Sequence, residues 1–155
     1  MDILTDAFLL NLHHLKPEVL HYIGHGNKGK LLIENQQAQG IILTDKNLKT
    51  ILPEKLIEYP KLVFLNACHS EQMANIFVQR GVPVVICVKG DHPIMDKVAS
   101  IFSIKFYEML MRNNMSFYDA FYKAIDDYKT HFPDDEIVER ELNKLMILPE
   151  NKEKI

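Results

Sequence analysis

The chain has 155 residues, 47% of them hydrophobic and 25% charged, which predicts one soluble domain over 1–148 with a frayed tail over 149–155. Its net charge of −3 gives no electrostatic reason to expect nucleic acid or a membrane as a partner, and no apolar run reaches the about 18–20 residues of a membrane span. Two isolated cysteines argue against a disulfide framework and indicate a reducing compartment, so we expect a cytoplasmic location.

The first part of the sequence predicts a helix, a strand and a β-hairpin, followed by a short helix. Apolar residues recur with helical spacing over Asp6–Leu15. Val19–Ile23 favours a strand, which breaks at a glycine turn. Two apolar runs, Lys30–Glu34 and Gly40–Thr44, are separated by a polar loop, which is typical of a hairpin. A capping residue at position 44 or 45 then predicts the short helix.

The rest of the sequence alternates buried strands with helices. Strands are predicted over Leu62–Leu65 and Pro83–Val88, each a nearly continuous apolar run. Helices are predicted over Glu71–Arg80, over Met95–Met111, from Ser116 onward, and from Pro133 to about Leu145. Strands that alternate with helices in this way predict an α/β fold with a largely parallel sheet.

A cysteine and a histidine each follow a predicted strand. Cys68 lies just after the run Leu62–Leu65 and just before a helix, where sites of open α/β sheets gather and where a helix N-terminus can lower the pKa of a thiol. His25 lies between Gly24 and Gly26, 43 residues before Cys68. The pair suits a cysteine nucleophile with a histidine base. The plain alternative is that Cys68 is a small buried hydrophobe.

Two motifs resemble a known superfamily. His21–Gly26 reads His-Tyr-Ile-Gly-His-Gly, and Leu65–Ser70 reads Leu-Asn-Ala-Cys-His-Ser. Together they resemble the CHAT branch of the caspase-like cysteine peptidases, related to caspases and separase, from about Leu9 to Ala124. The resemblance implies a three-layer caspase-like sandwich with a largely parallel central sheet. That fold has further leading strands, so we expect a fragment, a processed piece or an abbreviated form completed by a partner chain or an upstream domain.

The resemblance also implies a mechanism. Cys68 would attack a peptide carbonyl as the thiolate, His25 would carry the proton to the leaving amine, and the backbone N–H groups of Gly26 and Cys68 would form the oxyanion hole. The substrate is then a protein or peptide, and no cofactor is implied. The spacing of histidines and cysteines indicates no metal site. His21 is expected to be a hydrogen-bonded strand residue, and the side chain of His69 to point away from that of Cys68.

Four residues are candidates for the primary substrate pocket. Asn66 matches a position that lines this pocket in caspases and metacaspases. Because its amide is neutral, the charge of the pocket must come from elsewhere. Asp91 would favour a basic substrate residue and Lys89 an acidic one, while Asp96 matches a position that is often acidic in CHAT-like sequences. Ordinary loop and helix-cap chemistry explains these last three residues equally well.

Two functional hypotheses follow. The first is a cysteine endopeptidase of the CHAT type that works as a regulated module of a larger protein. The second is a catalytically silent caspase-like fold that acts as an interaction or regulatory module. The presence of both dyad residues and their glycines favours the first, whereas the missing leading strands favour the second for this chain alone.

Overall fold

The structure, a computed structural model, describes residues 12, 14–34, 37–56, 58–90 and 92–150. Over these residues the chain is an α/β protein, which confirms the predicted fold class. The elements in chain order are β1 (Val19–Ile23), β2 (Gly26–Asn27), β3 (Lys30–Glu34), β4 (Gly40–Thr44), α1 (Asp45–Ile51), β5 (Leu62–Asn66), α2 (Glu71–Gln79), β6 (Val84–Val88), α3 (Asp96–Asn113), α4 (Phe117–His131), α5 (Glu136–Leu142) and β7 (Leu145–Leu148).

Four strands form the central sheet in the order β1-β5-β6-β7. β1, β5 and β6 are parallel, with Leu62 opposite both Val19 and Val84, and β7 runs antiparallel to β6. Every residue of β5 and β6 is buried. This burial is what a continuous apolar run predicts for a strand that is covered on both faces.

Helices cover both faces of this sheet, so the fold has three layers. The side chains of β5 alternate between two cores: Leu62 and Phe64 face α3, α4 and α5, whereas Val63 and Leu65 face α1 and α2. Fully burying one large apolar side chain contributes roughly 1.5–3 kcal/mol, so the two cores hold β5 firmly at the centre. The caspase-like sandwich that the resemblance implied is confirmed.

A second, smaller sheet stands beside the first and has the antiparallel order β2-β3-β4. Leu31 on β3 is buried in the core under α1 and α2 and so anchors this sheet. The predicted hairpin of β3 and β4 is confirmed, with Ile33 opposite Ile41. β2 was not predicted, because the two residues Gly26 and Asn27 carry no apolar alternation.

Local signals place several helix ends correctly. Thr44 Oγ accepts the Asn47 N–H at 3.2 Å at the start of α1, and Ser116 Oγ accepts the Asp119 N–H at 3.1 Å before α4. Such N-cap bonds satisfy helix donors that have no partner within the helix. Gly81 follows α2 with φ of 95°, a left-handed conformation that suits glycine.

The C-terminal part differs from the prediction. The charged helix predicted to run to about Leu145 ends at Leu142, and β7 follows. Leu145, Ile147 and Leu148 are buried against the sheet, so pairing with β6 overrides the continuing helical pattern. The helix predicted over 6–15 lies largely outside the described residues, as does most of the predicted frayed tail. Within the described part of the chain, no strand precedes β1, which forms one edge of the central sheet.

Candidate active site

Two neighbouring parallel strands end side by side, and each is followed by a candidate catalytic residue. In the register of β1 and β5, Ile23 lies opposite Asn66. His25 comes two residues after Ile23, and Cys68 comes two residues after Asn66. The Gly24 N–H donates to the Asn66 carbonyl at 3.4 Å, which extends the contact past the strand end. The two turns therefore lie at the same carboxyl edge of the sheet.

The turn that carries His25 is shaped by a tyrosine on β1. The Tyr22 hydroxyl lies within hydrogen-bond distance of two carbonyl oxygens, that of Leu32 at 2.6 Å and that of His25 at 3.0 Å. A Cβ at Gly24 would lie 2.5 Å from this hydroxyl oxygen, so a side chain there would displace the tyrosine. The Leu32 N–H also donates to the His25 carbonyl, at 3.0 Å. The backbone of His25 is thus held against β3, while the residue itself is exposed.

Gly26 lies directly against the backbone that carries the cysteine. A Cβ at this position would lie 2.4 Å from the Cys68 carbonyl oxygen and 3.0 Å from Ala67 Cβ. Pairs in an antiparallel ladder alternate between hydrogen-bonded and non-bonded. The bond from the Leu32 N–H to the His25 carbonyl makes His25 and Leu32 a hydrogen-bonded pair. The neighbouring pair, Gly26 and Leu31, is therefore non-bonded, and the Gly26 N–H points away from β3.

The two cysteines have different surroundings. Cys68 is half-buried, and its thiol donates to the Ile94 carbonyl oxygen over 3.9 Å. Cys87 is fully buried in β6, and this burial, with a smaller contribution from the charge of Glu71, raises the pKa of its thiol far above the ordinary value. Among the described residues, no hydrogen bond joins the His25 ring to the sulfur of Cys68. Of the two thiols, Cys68 is the one that solvent reaches.

A buried hydroxyl anchors the turn between β5 and α2. The pairing of β5 with β6 runs from Leu62 to Phe64 and then stops. Beyond that point, fully buried Ser70 donates through Oγ to the Leu65 carbonyl at 3.1 Å and accepts the Val88 N–H at 3.0 Å. The hydroxyl therefore bridges the two central strands where their direct pairing ends. Although Ser70 directly precedes α2, its side chain makes no capping bond to that helix.

The residues on either side of Ser70 hold the β6–α3 loop, of which the structure describes residues 89–90 and 92–95. The Glu71 carboxylate accepts the Gly90 N–H at 2.6 Å, and His69 Nδ1 donates to the Gly90 carbonyl at 2.7 Å. His69 has a left-handed backbone, with φ of 55°. A Cβ at Gly90 would lie 3.1 Å from the Glu71 carboxylate, so glycine permits this close approach. Both polar groups of Gly90 are thus bonded to the turn that carries Cys68.

A buried carboxylate on α5 fixes the far end of the same loop. Glu141 is 1% exposed and accepts the Met95 N–H at 2.9 Å and the Lys144 ammonium at 2.6 Å. The ammonium also donates to the Pro93 carbonyl at 2.8 Å, and the Lys89 N–H donates to the Lys144 carbonyl at 2.9 Å. Burial alone would raise the pKa of Glu141, but the hydrogen bonds from Lys144 and Met95 outweigh it and lower the pKa. The loop beside the thiol is therefore held at both ends.

The residues predicted to line the substrate pocket differ in how far their side chains are exposed. Asn66 is 9% exposed, and its amide donates to Ser103 Oγ on α3 at 3.2 Å. Lys89 and Asp96 are exposed at the two ends of the β6–α3 loop, Asp96 being the first residue of α3. Asp91 lies outside the described residues. The role of all four in substrate binding stays a prediction.

Sequence reasoning missed several residues that shape this site. In the sequence, Ser70 is only the last residue of a motif, because its bridge between two strands depends on tertiary structure. Glu71, Ile94 and Glu141 carried no signal, because each acts on a loop that is distant in the sequence. The sequence places Gly24 and Gly26 on either side of His25, but it does not show which atoms approach them, the Tyr22 hydroxyl and the Cys68 backbone carbonyl.

The groups gathered at this edge are a thiol, an imidazole and backbone N–H donors, the set that nucleophilic acyl transfer uses. Within the described ranges, no cluster of three or more His, Cys, Asp or Glu residues could hold a metal ion. None of the helices that the structure describes is both long and apolar enough to cross a membrane.

A three-layer sandwich with a histidine and a cysteine after adjacent parallel strands defines the caspase-like class of proteins. The family model of the CHAT domain matches residues 3–127, and the chain therefore belongs to the CHAT domain family, within the caspase-like peptidase superfamily. This match confirms the resemblance found in the two motifs. It ends within α4, so α5 and β7 lie beyond it. No curated protein matches the chain.

Proposed function

We propose that the chain is a cysteine endopeptidase of the CHAT type and that His25 and Cys68 form its catalytic dyad. The observation that carries this proposal is the contact of Gly26 with the Cys68 carbonyl, which joins the two turns at one sheet edge. Membership of the CHAT family supports it. Both cysteines are free thiols, which fits a reducing, cytoplasmic location.

The proposed reaction is acyl transfer. Cys68 gives its proton to His25, and the thiolate attacks the carbonyl carbon of the scissile peptide bond. The N–H groups of Gly26 and Cys68 donate to the oxyanion that forms. His25 then protonates the leaving amine, the C–N bond breaks, and a thioester remains, which water hydrolyses with His25 as the base. Before the first step, the thiol exchanges its contact with Ile94 for one with His25.

In this proposal the substrate pocket lies between the Cys68 turn and the β6–α3 loop. Asn66 contributes its uncharged side-chain amide to the pocket. Lys89, Asp91 and Asp96 are the candidates for the charge that selects a substrate residue. Exposure of Lys89 and Asp96 supports their access to a ligand.

A second candidate function is a catalytically silent interaction or regulatory module. The observation that favours it is the arrangement of the thiol, which donates to Ile94 and not to His25. In many enzymes the hydrogen bond between the nucleophile and its base forms only when the substrate binds. The absence of a bond from Cys68 to His25 therefore suits both candidates. Reactivity of the thiol separates them.

We further propose that an added strand covers the β1 edge, from a partner chain or from an upstream domain of a larger, regulated protein. Ile104 and Met111 on α3 are 62% and 81% exposed, and they flank Tyr107 at helical spacing. The Tyr107 hydroxyl lies 3.0 Å from Nδ1 of His21 on β1, the hydrogen-bonded strand residue that was expected. Ile23, at the end of β1, is 74% exposed. Exposed apolar side chains beside an open strand edge favour a covering partner.

The dyad is tested by the reactivity of the thiols. Peptide acyloxymethyl ketones with different first residues should label Cys68, and mild iodoacetamide at neutral pH should alkylate Cys68 well before Cys87. His25→Ala should slow both reactions, whereas His131→Ala, at an exposed histidine on α4, should not. If labelling requires denaturation, or if its rate is unchanged in His25→Ala, the result would instead support the silent module.

The covering strand is tested by size-exclusion chromatography combined with a peptidase assay, with and without the native upstream sequence or partner. We expect the 155 residues alone to be poorly active, because a small displacement of a catalytic group lowers the rate steeply. A monodisperse and fully active monomer would contradict the need for a covering strand.

A further inference from the structure

One peptide unit of the β6–α3 loop lies between a buried carboxylate and the candidate nucleophile. The carbonyl oxygen of Ile94 accepts from the Cys68 thiol over 3.9 Å. The N–H of Met95, which belongs to the same peptide unit, donates to the Glu141 carboxylate at 2.9 Å. Because a peptide unit is planar and trans, its carbonyl and its N–H point in opposite directions. The carboxylate on one side therefore sets the direction of the carbonyl oxygen on the other side.

The carboxylate is itself firmly held. Glu141 is 1% exposed and accepts the Met95 N–H on Oε2. On Oε1 it accepts the Lys144 ammonium at 2.6 Å and the Arg140 Nε–H at 3.4 Å. The Lys144 ammonium also donates to the Pro93 carbonyl at 2.8 Å, so the loop is bonded just before the peptide unit as well as at it. Hydrogen bonds to charged groups are roughly twice as strong as neutral ones, which leaves this peptide unit little freedom to turn.

The thiol depends on this acceptor. Ile94 is 7% exposed and belongs to the core under α3, α4 and α5, against which the half-buried Cys68 also packs. A thiol is a weak donor, so its hydrogen bond requires an acceptor that is well placed and strong. A carboxylate that accepts the N–H of a peptide unit polarises that unit and strengthens its carbonyl as an acceptor. Glu141 thus contributes both the direction and the strength of the acceptor.

We propose that Glu141 is a positioning residue for the nucleophile, and that it holds the Cys68 thiol in a resting position through the peptide unit between Ile94 and Met95. This inference rests on the proposed peptidase function, because it concerns the nucleophile of that reaction. The thiol donates its proton to the Ile94 carbonyl and has to lose that proton before it attacks, so this contact must break first. Glu141 lies on α5, beyond the residues 3–127 that the family model matches.

Glu141→Gln tests the proposal at nearly constant side-chain volume. A carboxylate has two oxygens that accept, whereas an amide has one. The amide oxygen should face the charged Lys144 ammonium, and the amide NH₂ group then meets the Met95 N–H, a donor against a donor. The peptide unit should turn, and the Cys68 thiol should lose its acceptor.

Asp127→Asn is the matched control. It changes a carboxylate on α4 that accepts the Lys105 ammonium of α3 at 2.5 Å. Lys105 lies ten residues after Met95, about 15 Å along the helix at 1.5 Å per residue. The control therefore removes a charged pair between the helices of the same core without touching the loop.

Two measurements separate a positioning role from a structural one. The S–H stretching band in the Raman spectrum reports whether a thiol donates a hydrogen bond, and subtracting the spectrum of the matching Cys68→Ala protein isolates the band of Cys68. This band should lie at the low frequency of a donating thiol in the wild type and in Asp127→Asn, and should shift to higher frequency in Glu141→Gln. Alkylation of Cys68 by iodoacetamide at neutral pH should be about two- to tenfold faster in Glu141→Gln, the range that corresponds to one lost hydrogen bond. The control should keep the wild-type rate.

The outcomes decide between the proposals. A shifted band together with faster alkylation supports the positioning role. An unshifted band, an unchanged or slower alkylation, or equal changes in Asp127→Asn refute it while the peptidase function stands. If urea unfolding shows that Glu141→Gln is not folded, Lys144→Met, which removes the ammonium from this carboxylate and from the loop, is judged by the same criteria. If the wild type cleaves no peptide and Cys68 is no more reactive than Cys87, the peptidase function is refuted, and the positioning role falls with it.

Discussion

Gly26→Ala tests whether the contact between the two turns sets the reactivity of the site. The added Cβ would lie 2.4 Å from the Cys68 carbonyl oxygen, and real Cβ atoms essentially never approach closer than 3.0 Å. The two backbones must therefore separate by at least 0.6 Å, the difference between these distances. Because the neighbour is a backbone carbonyl, it cannot rotate away as a flexible side chain would.

This displacement should affect stability and rate differently. Overpacking of a close contact costs about 1–3 kcal/mol in the free energy of unfolding. A misplacement of about 1 Å can lower a catalytic rate about a hundredfold, so we expect kcat/KM for peptide cleavage to fall by about 10- to 100-fold. The assays are peptide hydrolysis, alkylation of Cys68 by iodoacetamide, and urea unfolding of the same preparation.

Gly40→Ala is the matched control. Among the residues that the structure describes, a Cβ at that position, at the start of β4, would meet only the Leu32 side chain, at 3.4 Å, an ordinary contact. This variant should keep the activity and alkylation rate of the wild type. If Gly26→Ala also keeps both, or loses activity only in proportion to its unfolded fraction, the contact does not position the dyad and the reasoning is refuted.

Tyr22→Phe removes the hydroxyl shared by the carbonyls of His25 and Leu32, and should cost about 0.5–1.5 kcal/mol in urea unfolding as well as lowering kcat. Tyr118→Phe loses a comparable bond away from the site and should lower stability alone; equal kcat losses would contradict the positioning role. The folded pKa of Glu141 lies below its ordinary value of 4.5, so its contribution to stability is fully present above that value and is lost as the pH falls through the folded pKa. The free energy of unfolding should therefore fall on acidification to about pH 3, and Glu141→Gln should flatten the fall; parallel curves for the two proteins would contradict this.

The parts of the fold that the sequence predicted are those governed by neighbours along the chain. The continuous apolar runs of β5 and β6 specify strands covered on both faces, whatever packs on them. Thr44 and Ser116 cap helices through bonds to residues three positions ahead. The two motifs could be placed at strand ends for the same reason, since each combines an apolar run with a turn signal.

The parts that were missed depend on contacts between distant segments. Leu145–Leu148 becomes a strand because β6 offers it an edge, and an apolar run of four residues after a charged helix does not reveal that partner. The amide of Asn66 is bonded to Ser103, 37 residues away, so its orientation could not be read from the motif. Glu141 likewise has no local mark that distinguishes it from the surface acids of α5.

The Ser70 hydroxyl ties the turn that carries Cys68 to the two central strands of the sheet. A hydroxyl that accepts from one central strand and donates to the other takes the place of a direct backbone bond between them. A force that moves the Cys68 turn outward, such as a bound substrate or a regulatory partner, would therefore also act on the last pairs of β5 and β6. We therefore expect any displacement of Cys68 to be coupled to the opening of the central sheet at this end.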